Sequence, residues 1–596
     1  MTTIEKLASL RSLMNERGAD VLLITSDDYH QSEYVGDFFK ARAWVSGFTG
    51  SAGTLVITRN EAKLFTDGRY YIQAERQLAG STIDLMRVGM EGVPTPNEYI
   101  ISLMNGSDCK VLATDGKCVG ANLIDAIKKK LPEGTSIVTD TDYVGLIWND
   151  RPALPESKIW ALDLKYCGRS HSEKLADVRK ALEEKNCDVL VMSSLCDIAW
   201  LYNLRGGDVT NTPVFLSYCI ITKTEDKLFV GTNAVCNVKS ALEADGVTVC
   251  PYGDFYAALS SLENKRVLLD KTAVCAAIVD TLSKSEIVNG ENPTLILKAK
   301  KNSTELENLR LCHVADGLAM TKMMLELKFG NREFDELTVD EYLLGLRKEC
   351  AKTVGVTFVD ESFGAICAFG PNAAMAHYSA SADNFSKIDK NAPVPMLLID
   401  SGGHYLEGTT DITRTFILGN IPDEVKMHYT LTACGMIRLM NLIYLDGATG
   451  TALDMVCRQP LWEHGIDFRH GTGHGVGYLL SVHEGPNRFH WGRGDVKIEE
   501  GMVTTDEPGI YVEGSHGIRI ENELISTKAN KNEFGQFMRF ENLTFCPIDL
   551  DGIDKSLLDE SDVRKLNAYH KSVYDTLEKY LGAEDKANLA KLTRAI

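Results

Sequence analysis

Leu7, Leu10, Leu13 and Met14 recur at helical spacing, and a breaker at Gly18 ends the pattern. The segment that follows, Ala19-Asp20-Val21-Leu22-Leu23-Ile24-Thr25, is apolar in a block of four and bounded by polar residues. Spacings of three and four predict an amphipathic helix, and a short bounded run predicts a buried strand. The same signals return later as Leu175, Val178 and Leu182, then Cys187-Asp188-Val189-Leu190-Val191-Met192-Ser193. Each copy continues into an Ala-Trp pair, Ala43-Trp44 and Ala199-Trp200, and a turn at Gly50 or Gly206. A repeat of roughly 160 residues is too long for a solenoid and predicts a duplicated α/β domain.

A third unit opens near Lys298. Thr304-Glu305-Leu306-Glu307 reads as a capping box, starting a helix that runs to Lys328 and stops at Gly330. Strand patterns dominate from Pro395 onward. Beyond about residue 536 a tail places Val563, Leu566, Val573, Leu577 and Tyr580 on one helical face ending at Gly582, a stripe that the main body or a second subunit must cover. The predicted organisation is two α/β domains (1–155 and 156–297), a mixed α+β domain (298–535) and a C-terminal extension (536–596).

A chain of 596 residues is long enough for several cores, and 44% apolar with 24% charged residues is ordinary for a globular protein. A net charge of −20 argues against nucleic-acid binding, which needs a basic face. No apolar stretch approaches the ~18 residues of a membrane span, and Met1-Thr2-Thr3-Ile4-Glu5-Lys6 does not read as a signal peptide. The fifteen cysteines are scattered without a Cys-x-x-Cys pair, as expected of reduced thiols in the cytoplasm.

Candidate chemistry lies in the third unit. Met396-Leu397-Leu398-Ile399 predicts a buried strand delivering Asp400, and turns at Ser401-Gly402-Gly403 and Glu407-Gly408 let the chain double back to set Asp411 beside it. Taken alone, this pair also reads as ordinary turn chemistry. His474 follows among alternating glycines in Gly471-Thr472-Gly473-His474-Gly475-Val476-Gly477, a pattern permitting close backbone approach or unusual φ. That spacing is not the dinucleotide fingerprint. Glu507 precedes Pro508-Gly509. In Gly517-Ile518-Arg519-Ile520-Glu521-Asn522-Glu523, alternation puts Arg519, Glu521 and Glu523 on one face, either a solvated edge or, for Arg519, a position to orient neighbouring carboxylates. His470 and His483 flank His474, and His470 reads as structural. Four carboxylates and one imidazole suit two divalent cations sharing a hydroxide. With hard oxygens dominating and no sulfur, manganese fits best, with zinc or cobalt as substitutes.

The order of these motifs resembles the pita-bread metallopeptidases, in their long, three-domain cytosolic aminopeptidase P form. His30-Gln31-Ser32-Glu33-Tyr34, Ser46-Gly47-Phe48-Thr49-Gly50 and Thr66-Asp67-Gly68-Arg69-Tyr70 are similar to that family's first domain, and Ala376-His377-Tyr378 to its catalytic domain. The resemblance implies two creatinase-like domains before a pita-bread domain, and cleavage between an N-terminal residue and a following proline. It implies that Asp411 and Glu521 bridge two metals, that Asp400 completes one shell and that His474 and Glu507 complete the other. It implies Glu507, His377 and His483 as catalytic groups, with His377, His483, Arg69 and Arg519 facing the substrate. It also implies a homodimer. Prolidase is the alternative, although it should lack the duplicated second unit. A methionine aminopeptidase would not need 300 residues before its catalytic domain. A non-catalytic binding relative would be expected to have lost ligands.

Overall fold

The two sequence repeats fold as two six-stranded sheets of the same strand order. In the computed structural model, which describes residues 1–106 and 108–596, the first sheet runs Asp84–Arg87, Ala62–Thr66, Thr54–Thr58, Val21–Ile24, Val111–Thr114, Ser136–Val138. The second runs Thr248–Pro251, Asp226–Val230, Ser217–Thr222, Val189–Met192, Arg266–Leu269, Glu286–Asn289. In each, the strand predicted from the apolar run lies fourth, antiparallel to one neighbour and parallel to the other. These strands are buried along their whole length, which explains a continuous apolar run where a half-exposed strand would alternate. The leading helix, Thr3–Arg17, buries Leu7, Leu10 and Met14 and ends at Gly18 with φ 72°, the left-handed cap glycine accepts without strain. Both sheets belong to one unit, Met1–Leu162 with Arg169–Thr294.

The other unit comprises Asp163–Gly168 and Leu295–Ile596. Its long helix is Ser303–Phe329, and the capping box sits two residues earlier than expected. Asn302 is the cap: its Oδ1 accepts from the Glu305 N–H at 3.1 Å, and the Glu305 carboxylate accepts from the Asn302 N–H at 2.9 Å. Asn302 Nδ2 also donates to Cys167 O at 2.9 Å. A three-stranded sheet orders Ile366–Phe369, Met396–Ser401 and Ile412–Ile417. A six-stranded sheet orders Ile443–Leu445, Gly535–Asn542, Asn522–Asn532, Val503–Asp506, Gly473–Gly475 and Glu484–Phe489. Leu318, Met323, Ile399, Phe416, Ile437, Ile518 and Leu524 belong to the same core cluster.

The tail stripe is covered from within. Leu566, Val573 and Leu577 are each 0% exposed and pack into that same core. The helix Glu560–Leu577 stops before the expected Gly582, passes through a short turn at Glu578–Tyr580, and a further helix, Ala583–Leu592, follows. Arg414 Nη2 donates to Tyr569 Oη at 2.7 Å, tying the tail to the strand Ile412–Ile417. Among the described residues, no helix is long and apolar enough to cross a membrane.

Candidate metal centre

Strands Met396–Ser401 and Ile412–Ile417 pair antiparallel, with Asp400 opposite Thr413 and Ser401 opposite Ile412. Asp411 immediately precedes the return strand, so it comes back beside the end that carries Asp400. The intervening residues form a small hairpin, Gly403–Tyr405 against Gly408–Thr409. A Cβ on Gly402 would lie 1.8 Å from Thr410 O, so only glycine lets the chain pass itself this closely.

The glycines around His474 serve close approach. A Cβ would meet Thr505 O at 1.8 Å from Gly473 and Glu484 O at 2.2 Å from Gly475. The His474 N–H donates to Thr505 Oγ1 at 3.0 Å, and Nδ1 lies 2.9 Å from Gly475 O. A carbonyl can only accept, so Nδ1 carries the proton and Nε2 keeps its lone pair. Nε2 is 3.5 Å from Asp411 Oδ2 and 3.7 Å from Glu507 Oε1. Glu507 is seated by its N–H, which donates to Thr472 O at 2.7 Å. Thr413 Oγ1 donates to Glu521 Oε2 at 2.7 Å, and the Glu521 N–H donates to Thr413 O at 3.0 Å.

Donor atoms of Asp411, His474 and Glu521 lie within 4.8 Å of one another. Burial raises the carboxyls of Asp411, Glu507 and Glu521 far above the usual carboxylate range, and repulsion adds to it: Asp400 and Glu507 act on Asp411, Glu521 on Glu507, and Asp411 on Glu521. Asp400 Oδ1, Asp411 Oδ1 and Glu521 Oε1 are buried without a hydrogen-bond donor from the protein. Buried carboxylates that repel one another, each with an oxygen that no protein donor meets, are strongly unfavourable unless cations neutralise them. The donor set, oxygen-rich with one imidazole and no thiolate, fits divalent cations.

The face of Arg519, Glu521 and Glu523 is not a solvated edge, since all three are at most 3% exposed. Arg519 holds Asp400 Oδ2 in a short charge-assisted bond and donates to Tyr511 Oη at 2.6 Å and Ala376 O at 3.3 Å. His470 Nε2 lies 2.9 Å from the same Tyr511 Oη. Alternation predicts Glu523 on this face without assigning it a task, and no local pattern marks His313. Glu523 Oε1 accepts the Asp411 N–H at 2.6 Å and lies 3.1 Å from His313 Nε2. Burial opposes a charge on His313, yet the adjacent Glu523 carboxylate raises its pKa well above the ordinary value.

His483 is half-buried, its ring 4.3 Å from that of His474 and nearly perpendicular to it. His377, also half-buried, directly follows Ala376, whose carbonyl Arg519 holds. Arg69 belongs to the Met1–Leu162 part of the first unit, where Asp67 binds it through two oxygens at 2.9 and 2.8 Å.

Four family models match in order. Creatinase/Prolidase N-terminal domain models cover residues 6–151 and 150–305, Metallopeptidase family M24 covers 307–528, and the C-terminal region of peptidase M24 covers 536–596. The chain is 35% identical to a probable Xaa-Pro aminopeptidase P of Laccaria bicolor, over 98% of this chain and 92% of that one. It is 37% identical to a probable Xaa-Pro aminopeptidase P of Aspergillus niger, over 98% and 97%. The crystal structure of X-prolyl aminopeptidase from Caenorhabditis elegans, described as a cytosolic enzyme with a di-nuclear active site, superposes with TM-score 0.92 and 31% identity, covering 100% of both chains. A Thermococcus sibiricus prolidase shares the fold at TM-score 0.52 and 21% identity, and covers 64% of this chain.

Proposed function

The chain belongs to metallopeptidase family M24, in its aminopeptidase P branch, and on that premise we propose how its own residues carry the reaction. It is a hydrolase that releases the first residue from peptides with proline in second position. The observation that carries the residue assignment is the group of buried oxygens without donors, Asp400 Oδ1, Asp411 Oδ1 and Glu521 Oε1, beside an imidazole whose Nε2 lone pair turns toward them. Asp411 and Glu521 would be shared by two divalent cations, with Asp400 completing one shell and His474 and Glu507 the other. When bound, the pair supplies water deprotonated at neutral pH and polarises the scissile carbonyl. Manganese suits the set best. Elemental analysis of protein purified without added metal reads this directly, and zinc or cobalt in its place would remove manganese from the proposal.

Glu507 carries a proton toward the leaving proline nitrogen, held in place by its bond to Thr472 O. His377 and His483 donate to the developing oxyanion. Arg519 donates to Asp400, Tyr511, Ala376 and Thr413, so its influence on the substrate is proposed to run through those groups. Arg69, 31% exposed in its side chain, is a peptide contact by family resemblance.

An Xaa-Pro bond has no N–H, and proline's ring locks φ, so a site for it offers an apolar pocket and asks for no donor from that nitrogen. The free substrate amine is held by carboxylates of the centre. Release of the first residue is therefore expected from Xaa-Pro-Yaa, with little from Xaa-Ala-Yaa and little from N-acetyl-Xaa-Pro-Yaa. Burial of the ring contributes only ~1–3 kcal/mol of this preference, and locked geometry must supply the rest. Equal rates on the proline and alanine tripeptides would argue for a general aminopeptidase. Cleavage confined to Xaa-Pro dipeptides would favour prolidase.

A cytoplasmic site of action is proposed on the description of the Caenorhabditis elegans enzyme, and fractionation that recovers the protein outside the cytoplasm would exclude it. A homodimer is proposed on family resemblance. The tail stripe no longer argues for it, because the chain covers that stripe itself. Ile443, Leu445 and Phe534 do offer exposed apolar side chains, at 60%, 48% and 74% exposure. Sedimentation showing a single 65.8 kDa species at micromolar concentration would refute the dimer.

A further inference from the structure

Two lysines share one buried carboxylate directly after His483. Lys298 Nζ lies 2.9 Å from Glu484 Oε2, and Lys301 Nζ lies 2.5 Å from Glu484 Oε1. The three side chains are 6%, 2% and 3% exposed. Lys301 Nζ also donates to Lys298 O at 3.1 Å. A buried ionic group of this kind is a weak stabiliser, because desolvation offsets most of the attraction and apolar side chains would fill the space as well. Its distinguishing property is geometric: three charged ends can satisfy one another in only a narrow set of positions.

Those positions join the segments that carry the proposed chemistry. The Lys301 N–H donates to Gly501 O at 2.9 Å, and Lys300 pairs with Glu499 at 2.5 Å. The lysine segment is thereby fastened to the chain entering the strand Val503–Asp506, which leads into Glu507. On the other side, Glu484 lies opposite Gly475 in the sheet, one residue from His474, and its Oε2 is 3.1 Å from where a Gly477 Cβ would be. The loop between these strands contains Leu479 at φ 48°, a left-handed conformation unfavourable for leucine that the surroundings must hold. The Gly477 N–H closes the loop onto Ser481 O at 3.1 Å, and His483 follows immediately before the clamped Glu484. No side chain of the three is exposed enough to meet a peptide. Their reach to the reaction is through the backbone of His483.

We propose that Lys298 and Lys301, by clamping Glu484, are positioning residues that fix the His483 imidazole against the reaction centre. The inference rests on the role assigned to His483 above. A residue that merely supports the fold would lower stability and activity alike, whatever stands at position 483. A positioning residue matters only while there is an imidazole to position.

The test is a double-mutant cycle on the full-length, metal-loaded chain, measuring kcat, KM and metal content with an Xaa-Pro-Yaa tripeptide. Lys301→Met leaves a matched Lys298–Glu484 pair, so it is expected to fold and keep two metal ions. It should lower kcat about tenfold, the low end for groups that orient a functional histidine, with KM within about twofold of the parent. In a His483→Ala background the same substitution should change kcat less than about twofold. Glu484→Asp keeps every charge and shortens the clamp by one methylene. It should show the same His483-dependent loss, which a purely electrostatic role would not produce. An equal loss in both backgrounds, or loss of metal in step with loss of rate, would overturn the inference while leaving the His483 assignment standing. A His483→Ala chain with undiminished kcat would instead overturn the His483 assignment, and the clamp's role with it.

Discussion

Asp411→Ala is expected to lower kcat/KM by about a thousandfold or more and to leave the chain with fewer than two bound metal ions. A thousandfold corresponds to ~4 kcal/mol of transition-state stabilisation, a size reached when the reacting water loses the group that generates it. Asp411 stands where its Oδ2 is 3.5 Å from His474 Nε2 and its Oδ1 has no donor from the protein, so no neighbour can stand in for it. Asp411→Asn separates charge from folding, because the amide keeps the volume and the backbone N–H still reaches Glu523. It should be nearly as inactive as the alanine variant. Its metal-free form should nonetheless melt higher than the metal-free parent, since burial and repulsion from Asp400 and Glu507 both disfavour the Asp411 carboxylate. With metal present the order should reverse. Full activity and two metal ions per chain in Asp411→Ala would show that the shared carboxylate has been misassigned.

Arg519→Met should cost nearly as much, for a different reason. Arg519 is 3% exposed and its guanidinium binds Asp400 and Thr413 on their paired strands, Tyr511 on the facing strand of its own hairpin, and Ala376, whose neighbour is His377. Removing it leaves a buried carboxylate without its counter-charge, which typically destabilises by ~3–5 kcal/mol. Asp400 and His377 are both released from their settings, so kcat should fall about a hundredfold, as when a partner that orients a metal ligand is lost. Arg519→Lys should recover stability better than rate. An ammonium can neutralise Asp400, but it lacks the planar fork that reaches Tyr511 and Ala376 together. Thermal melts and kinetics on the same preparations read the two effects separately. A methionine variant with native kcat would show that Arg519 is only a structural counter-ion.

The parts of this protein legible in its sequence are those decided by a few neighbouring residues. Val21 to Ile24 and Val189 to Met192 declare buried strands because burial on both faces demands an unbroken apolar run. Asp400 and Asp411 flank a hairpin excursion whose turns are written in Ser401-Gly402-Gly403 and Glu407-Gly408. Alternation predicts Arg519, Glu521 and Glu523 on one face of a single strand; all three are buried, but so are Ile518 and Ile520, because one strand ends at Arg519 and another begins at Asn522. What tertiary structure decided are choices between locally equivalent options. The glycines around His474 permitted either unusual φ or close contact, and Thr505 O and Glu484 O selected contact. Thr304 reads as the cap of the long helix, and Asn302 takes that place, with a second bond to Cys167 O. The stripe of Leu566, Val573 and Leu577 required a cover, and its source was set by the shape of the core it meets. The bond from the Asp411 N–H to Glu523, and the ion pairs of His313 with Glu523 and of Lys298 and Lys301 with Glu484, join residues more than a hundred positions apart. Nothing in the short-range pattern encodes such pairs, because their energy depends on a separation that exists only after the sheets and the long helix have packed.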